Sequence, residues 1–176
     1  VLETRELFLG VRQALLDQGY EVESDIPVGI MIEVPSALLA LPNFIEHVDF
    51  VSVGTNDLVQ YLLAVDRDNS WVADLYDPHH PAVALALKHV ADTAHRAGKP
   101  CSVCGDIAGD PAVSVVLCGM GFTNVSVASH FVPEIKYAIR ETRADIAARF
   151  AHEILGQENS AGVRAVLARV RDEVYG

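Results

Sequence analysis

The chain has 176 residues, 51% of them hydrophobic, a mean hydropathy of +0.25, and 24 Asp and Glu against 13 Lys and Arg for a net charge of −11. That is one ordinary domain's worth of chain with enough apolar content to bury a core, which excludes intrinsic disorder. The acid excess argues against nucleic acid or an anionic membrane as partner, since both demand clustered Lys and Arg, and no apolar run approaches the roughly 20 residues that cross a bilayer. The chain opens at Val1 without a basic n-region or cleavage site over residues 1 to 20, so the start reads as a cut rather than a leader. Three cysteines at irregular spacing make no disulfide framework and point to a reducing, cytoplasmic setting.

Leu2, Leu7, Phe8, Val11, Leu15 and Leu16 recur at helical spacing before Gly19, which predicts a helix over 2–18. The run VGIMIEV, from Val28 to Val34, is short, apolar and ended by Pro35, as a buried strand would be. A short helix from Ser36 is expected to be interrupted at Pro42 and to resume for a turn over Ile45 to His47. VDFVSVG, over 48–54, repeats the strand signal, and 56–65 reads as the helix after it. A long polar loop rich in Asp, Pro and His then runs from Asp66 to Pro81, a length usually associated with function. Pro81 opens a helix to Ala97 closed by Gly98, 101–105 is a third strand, and Asp110 with Pro111 caps a helix to about Cys118. A fourth strand over 124–129 carries both Ser126 and Ser129, and a helix follows over 132–140. Such alternation predicts an α/β fold of parallel βα units, with helices over a buried sheet. Beyond residue 140 the pattern changes to two amphipathic helices over 141–155 and 160–174, so the chain divides into 1–140 and a helical extension, 141–176.

Functional groups of parallel βα folds gather at the strand C-termini. Glu33 ends the first strand, Asp57 lies just past the second, and Cys104 ends the third. A buried Glu needs a partner, and Asp57 is placed to share a hard cation with it; Mg²⁺, which takes oxygen ligands including one or two carboxylates, suits the pair. A structural Lys or Arg against Glu33 is the competing reading. Cys101 and Cys104 spell C-x-x-C, but residues three apart on a strand point to opposite faces, and no second such pair exists for zinc. Cys101 therefore reads as a core residue and Cys104 as a lone rim thiol, able to donate a proton or simply inert. Arg67 could anchor a carboxylate or phosphate, or serve as a surface ion-pair partner. His47, His89, His95 and His152 fall in or at the end of helices and read as fillers, while His79 and His80 share the polar loop.

The strings GIMIEVP, VDFVSVGTNDLVQYLLAVDRDN, LYDPHHPAV and CGDIAGDP, spread over about Gly29 to Arg140, resemble the C-terminal phosphoenolpyruvate-binding domain of enzyme I of the bacterial phosphotransferase system. The wider class includes pyruvate phosphate dikinase and phosphoenolpyruvate synthase. The resemblance implies a (β/α)₈ barrel, of which this chain would be the C-terminal half. It implies Glu33 and Asp57 as Mg²⁺ ligands, Asn56 and Arg67 beside Asp57 as contacts to phosphoenolpyruvate, and Cys104 as the acid that protonates the enolate to release pyruvate. The phosphoryl acceptor would be a histidine on a separate phosphohistidine domain, which passes the group to a small phosphocarrier protein. Neither lies in these residues, so the segment alone is expected to be inactive. Asp106 stands where the family has Glu after C-G, a shorter carboxylate that puts its supporting role in doubt; Val103 replaces a Met, and Val127 to Ser129 replace a Met-Ser-Ala pattern. The string SVGTNDLVQYLLAVDR and the Asp-Pro-His-His-Pro loop lean to the nitrogen-related branch rather than the sugar branch. A dikinase- or synthase-type enzyme of the same class remains open. So do a Mg²⁺-dependent aldolase or lyase acting on pyruvate enolate, which has no need of a Cys acid, and a non-catalytic sensor or dimerisation module, which could have lost Glu33, Asp57 or Cys104. Half a barrel leaves two open edges and an apolar inner face, so a homodimer is expected.

Overall fold

The computed structural model describes residues 1–23 and 25–175. Four short strands, β1 (Ile30–Ile32), β2 (Val51–Gly54), β3 (Cys101–Cys104) and β4 (Asn124–Ser126), pair in parallel in the order β1-β2-β3-β4. Helix α1 (Leu2–Asp17) precedes them, and α2 (Pro35–Phe44), α3 (Thr55–Leu63), α4 (Pro81–Arg96), α5 (Pro111–Met120) and α6 (Val132–Glu141) alternate with them. Helices α7 (Ala144–Leu155) and α8 (Ser160–Tyr175) end the chain. The alternation anticipated from the sequence is the one observed, with helix ends set by the expected residues. Asp110 accepts from the Ala112 N–H at 2.9 Å to start α5, Pro81 starts α4, and Gly98 at φ +65° follows its end.

The two-residue period sorts the strands into two faces. Ile32, Val51, Val53, Cys101 and Val103 are at most 3% exposed and join one core with Leu38, Leu41, Leu58, Val59 and the apolar stripes of α4 and α5. Phe150, Ile154, Val163, Leu167 and Val170 of α7 and α8 belong to that same core. At the α5–α7 crossing the backbones approach so closely that a Cβ on Gly119 would run into the Ala147 carbonyl. The other face of the sheet stays open: Met31 is 48% exposed, Asn124 and Ser126 are exposed, and Ser52, Ser102 and Cys104 are half-buried. The expectation of an apolar inner face is therefore corrected, because Met31 is the one large apolar side chain the described strand residues present there.

Three local expectations also change. Pro42 does not interrupt α2, since it lies in the helix's last turn and removes only one terminal hydrogen bond. The helix expected over 141–155 starts three residues later: α6 runs through Glu141, Thr142 turns extended while its Oγ1 donates to the Ala138 carbonyl at 2.8 Å, and α7 begins at Ala144. Ser129 is not on β4, which ends at Ser126, but opens a 3₁₀ turn over Ser129–Phe131. Helix α1 buries none of its residues and is tied down by Arg5, 3.1 Å from Asp49. The Val28 N–H and then Arg5 hold the Asp49 carboxyl below its ordinary range.

Candidate functional site

The strand register builds the site as a row. Ile32 pairs with Val53, so Glu33 falls level with Gly54, and Gly54 is paired with Cys104, itself paired with Ser126. Gly54 contributes no side chain, and the Glu33 carboxylate occupies the space: a Cβ on Gly54 would lie 2.5 Å from Glu33 Oε1. Any larger residue at 54 would displace the carboxylate, so the glycine serves the site as much as the strand. Among the described residues no Lys or Arg forms an ion pair with Glu33.

Helix α3 begins directly after Gly54, and its first turn carries Asn56 and Asp57 where the helix dipole favours negative charge. Ala64, left-handed at φ +55°, closes α3 and turns the chain back, and the Arg67 N–H donates to Gln60 Oε1 at 3.2 Å. This return brings Arg67 Nη2 to 3.7 Å from Asp57 Oδ1, with both side chains more than a third exposed. Cys104 Sγ donates to the Val53 carbonyl at 3.4 Å, which orients the thiol at the rim. Cys101, on the opposite face, is buried and its thiol is pushed up to about 12. The two thiols cannot act together, as the strand period requires.

Two further residues complete the arrangement. Asn56 Oδ1 accepts from the Asp106 N–H at 2.9 Å while its Nδ2 donates to Asp106 Oδ2 at 3.1 Å, so the amide is gripped from both ends. The shorter carboxylate at 106 thus still reaches the Asn56 amide. Between them Gly105, at φ +116°, makes the turn only a glycine makes easily; a Cβ there would collide with Thr55 Oγ1 and lie 2.8 Å from Asn56 Oδ1. Thr55 Oγ1 in turn donates to the Cys104 carbonyl at 2.8 Å, stitching the end of β3 to the start of α3. From the long loop, Tyr76 donates its hydroxyl to the Asn56 carbonyl at 3.2 Å. Burial raises the Tyr76 phenol above its ordinary value despite Arg67 beside it, which keeps it a donor. Tyr76 lies within a string already singled out, but nothing in its spacing linked it to Asn56.

Glu33, Asn56, Asp57, Arg67 and Cys104 therefore all lie at the C-terminal end of one parallel sheet. Cys104, Asp106, Ser126 and Phe131 also line a depression of about 280 Å³ between the ends of β3 and β4. Among the described residues no group of three or more His, Cys, Asp or Glu forms a metal cage, so a cation here would rest on the two carboxylates, with ligand or water oxygens filling the other positions.

The α/β domain gathers carboxylates, a guanidinium and a thiol at its strand ends. Comparison with known proteins narrows the class: the chain belongs to the family described as PEP-utilising enzyme, PEP-binding domain, whose model matches residues 1–144. It is 38% identical over 153 residues to a phosphoenolpyruvate-protein phosphotransferase of Bacillus sp. (strain S), covering 87% of this chain and 26% of the relative. It is 44% identical over 125 residues to the Enterococcus faecalis protein of the same name, covering 71% and 22%. A Salmonella typhimurium protein named phosphoenolpyruvate-dependent phosphotransferase system is 41% identical over 164 residues, covering 89% and 22%. The chain spans about a quarter of the length of these curated relatives. No helix of the described residues is long and apolar enough to cross a membrane.

Proposed function

We propose that this chain is part of the catalytic domain of a phosphoenolpyruvate-protein phosphotransferase. The longer protein would transfer the phosphoryl group of phosphoenolpyruvate, with Mg²⁺, to a histidine on another of its domains and release pyruvate. The observation that carries the reading is Glu33 laid over Gly54, with no cationic partner among the described residues, in the same row as the Cys104 thiol. Glu33 and Asp57 offer the hard oxygens Mg²⁺ prefers. Bound there, Mg²⁺ would supply charge neutralisation for the phosphate and the developing enolate.

The chain's own groups account for the rest. Arg67 offers paired donors to a carboxylate or phosphate. Asn56, with one Nδ2 hydrogen committed to Asp106, keeps its second for a substrate oxygen. The Cys104 S–H bond breaks as a C–H bond forms at the enolate carbon, giving pyruvate and a thiolate that water reprotonates. The four strands are read as the C-terminal half of a (β/α)₈ barrel, with β1 and β4 as the edges that the other strands would pair. The phosphohistidine domain and a small phosphocarrier protein are the partners this reading implies, with a homodimeric, cytoplasmic protein.

The test is made on the longer protein that contains this segment. Cys104→Ala is expected to slow pyruvate formation about 10²–10⁴-fold while phosphoenolpyruvate still binds. Glu33→Gln is expected instead to weaken Mg²⁺ binding, so that more Mg²⁺ is needed for half-maximal rate. Pyruvate formed at the wild-type rate by Cys104→Ala would remove the thiol from the chemistry, and the isolated 176-residue chain is expected to form none.

A further inference from the structure

Helix α8 lies beyond the family-matched residues 1–144, yet two of its arginines reach the two loops that carry the candidate site. We propose that α8 is a strap that sets the position of both loops, with Arg164 and Arg171 as positioning residues. Arg164 and Arg171 are seven residues apart, two helical turns, and so share one face of α8.

Arg164 Nη2 lies 2.7 Å from Asp77 Oδ1, which also accepts from the His79 N–H at 3.0 Å. Asp77 directly follows Tyr76, whose hydroxyl holds the Asn56 backbone carbonyl. Arg171 pairs with Asp110 Oδ2, while Asp110 Oδ1 caps α5. Asp110 closes the 3₁₀ turn that begins at Asp106, the residue gripping the Asn56 amide. Both lines of contact from α8 therefore converge on Asn56, one through its backbone and one through its side chain.

Ion pairs between exposed groups contribute little. These differ in that the two carboxylates are only 22% and 27% exposed and the helix that brings the arginines is seated by apolar packing. Val163 and Leu167 meet Pro78 and His79 around a small apolar cavity, so α8 rests against the same loop that Arg164 holds. The loop-holding role needs no ligand; its consequence for phosphoenolpyruvate rests on the function proposed above.

Hydrogen exchange on the 176-residue chain tests the strap. Arg164→Ala is expected to speed exchange of the amides over 66–80 about tenfold, and Arg171→Ala those over 105–110, while Val53 and Val103 amides keep wild-type rates. The swap of Arg164→Asp with Asp77→Arg is expected to restore slow exchange over 66–80. Unchanged loop exchange, or loops and sheet accelerating together as a merely stabilising pair would give, overturns the proposal. In the longer protein the double Ala variant is expected to raise KM for phosphoenolpyruvate about tenfold with kcat within twofold; an unchanged KM overturns the link to the site. A wild-type protein that does not use phosphoenolpyruvate overturns the functional reading instead, and the exchange result still decides the strap.

Discussion

On the helix-covered face of the sheet, Ile32, Val51, Val53 and Val103 are fully buried, whereas on the other face Met31, Ser52, Ser102 and Cys104 remain open or half-open, although the two sets alternate along the same strands. The buried face is β-branched and closely packed against helices, the arrangement that stabilises a parallel sheet. Apart from Met31, the open face is small and polar. It leaves room at Cys104 for a half-buried thiol and at Gly54 for a carboxylate, which could not sit unpartnered among the core residues without a cost of several kcal/mol. Stability and chemistry are thus separated by a two-residue period, and substitutions should separate them too.

The largest contrast is expected in stability. Ile32→Ala should cost about 2–5 kcal/mol in urea unfolding, because the deleted atoms leave a cavity in a closely packed layer. Ser102→Ala, on a neighbouring strand but the open face, should stay within about 0.5 kcal/mol, since its hydroxyl makes only a 3.4 Å contact to the Val51 carbonyl. Equal costs would mean that the open face is covered in solution. A second contrast uses the two thiols of β3. Cys104 should react with an aromatic disulfide reagent at pH 8 in the native protein. Cys101, buried and with its thiol at about 12, should react at least about a hundredfold more slowly, only as the chain unfolds.

What could be read in the sequence follows the same division. Short apolar runs ended by Pro35 or followed by polar residues marked the strands, and the strand-end rule placed Glu33, Asp57 and Cys104 together. The runs overstate the strands, 28–34 against Ile30–Ile32, because apolar residues flanking a ladder look like those within it. Ser129 was misplaced for that reason. Tyr76 and Asp106 were not legible as partners of Asn56, since their contacts span 20 and 50 residues and depend on how two loops fold over the start of α3. The role of Gly54 needed the register, which no local pattern reveals. The reach of α8 to Asp77 and Asp110 was hidden likewise, for amphipathicity shows which face of a helix is buried but not which loops its flanking arginines meet.

The smallest expected effect lies at the seam where α8 meets the rim of the sheet. Burial lowers the His79 imidazole below its ordinary value of 6.5, Arg164 and Arg171 add to this, and Asp77 and Asp110 oppose it. Burial alone would raise Asp77, but the Ser160 hydroxyl, the His79 N–H and Arg164 outweigh it and hold the carboxyl below its ordinary 3.8. A histidine that binds its proton less readily when folded favours the unfolded chain as pH drops through the ordinary histidine range. A carboxylate depressed in the folded state contributes stability that is complete above its unfolded value and is lost as pH falls through the folded one. Both groups act in the same direction, so stability should decline on acidification in two stages, beginning below about 6.5 and again below about 3.8. His79→Gln should flatten the first stage of the urea midpoint between pH 7.5 and 5.5, and Asp77→Asn the second, while Ser102→Ala on the open face should leave both unchanged. A first stage that persists in His79→Gln would place the titrating group elsewhere than the seam.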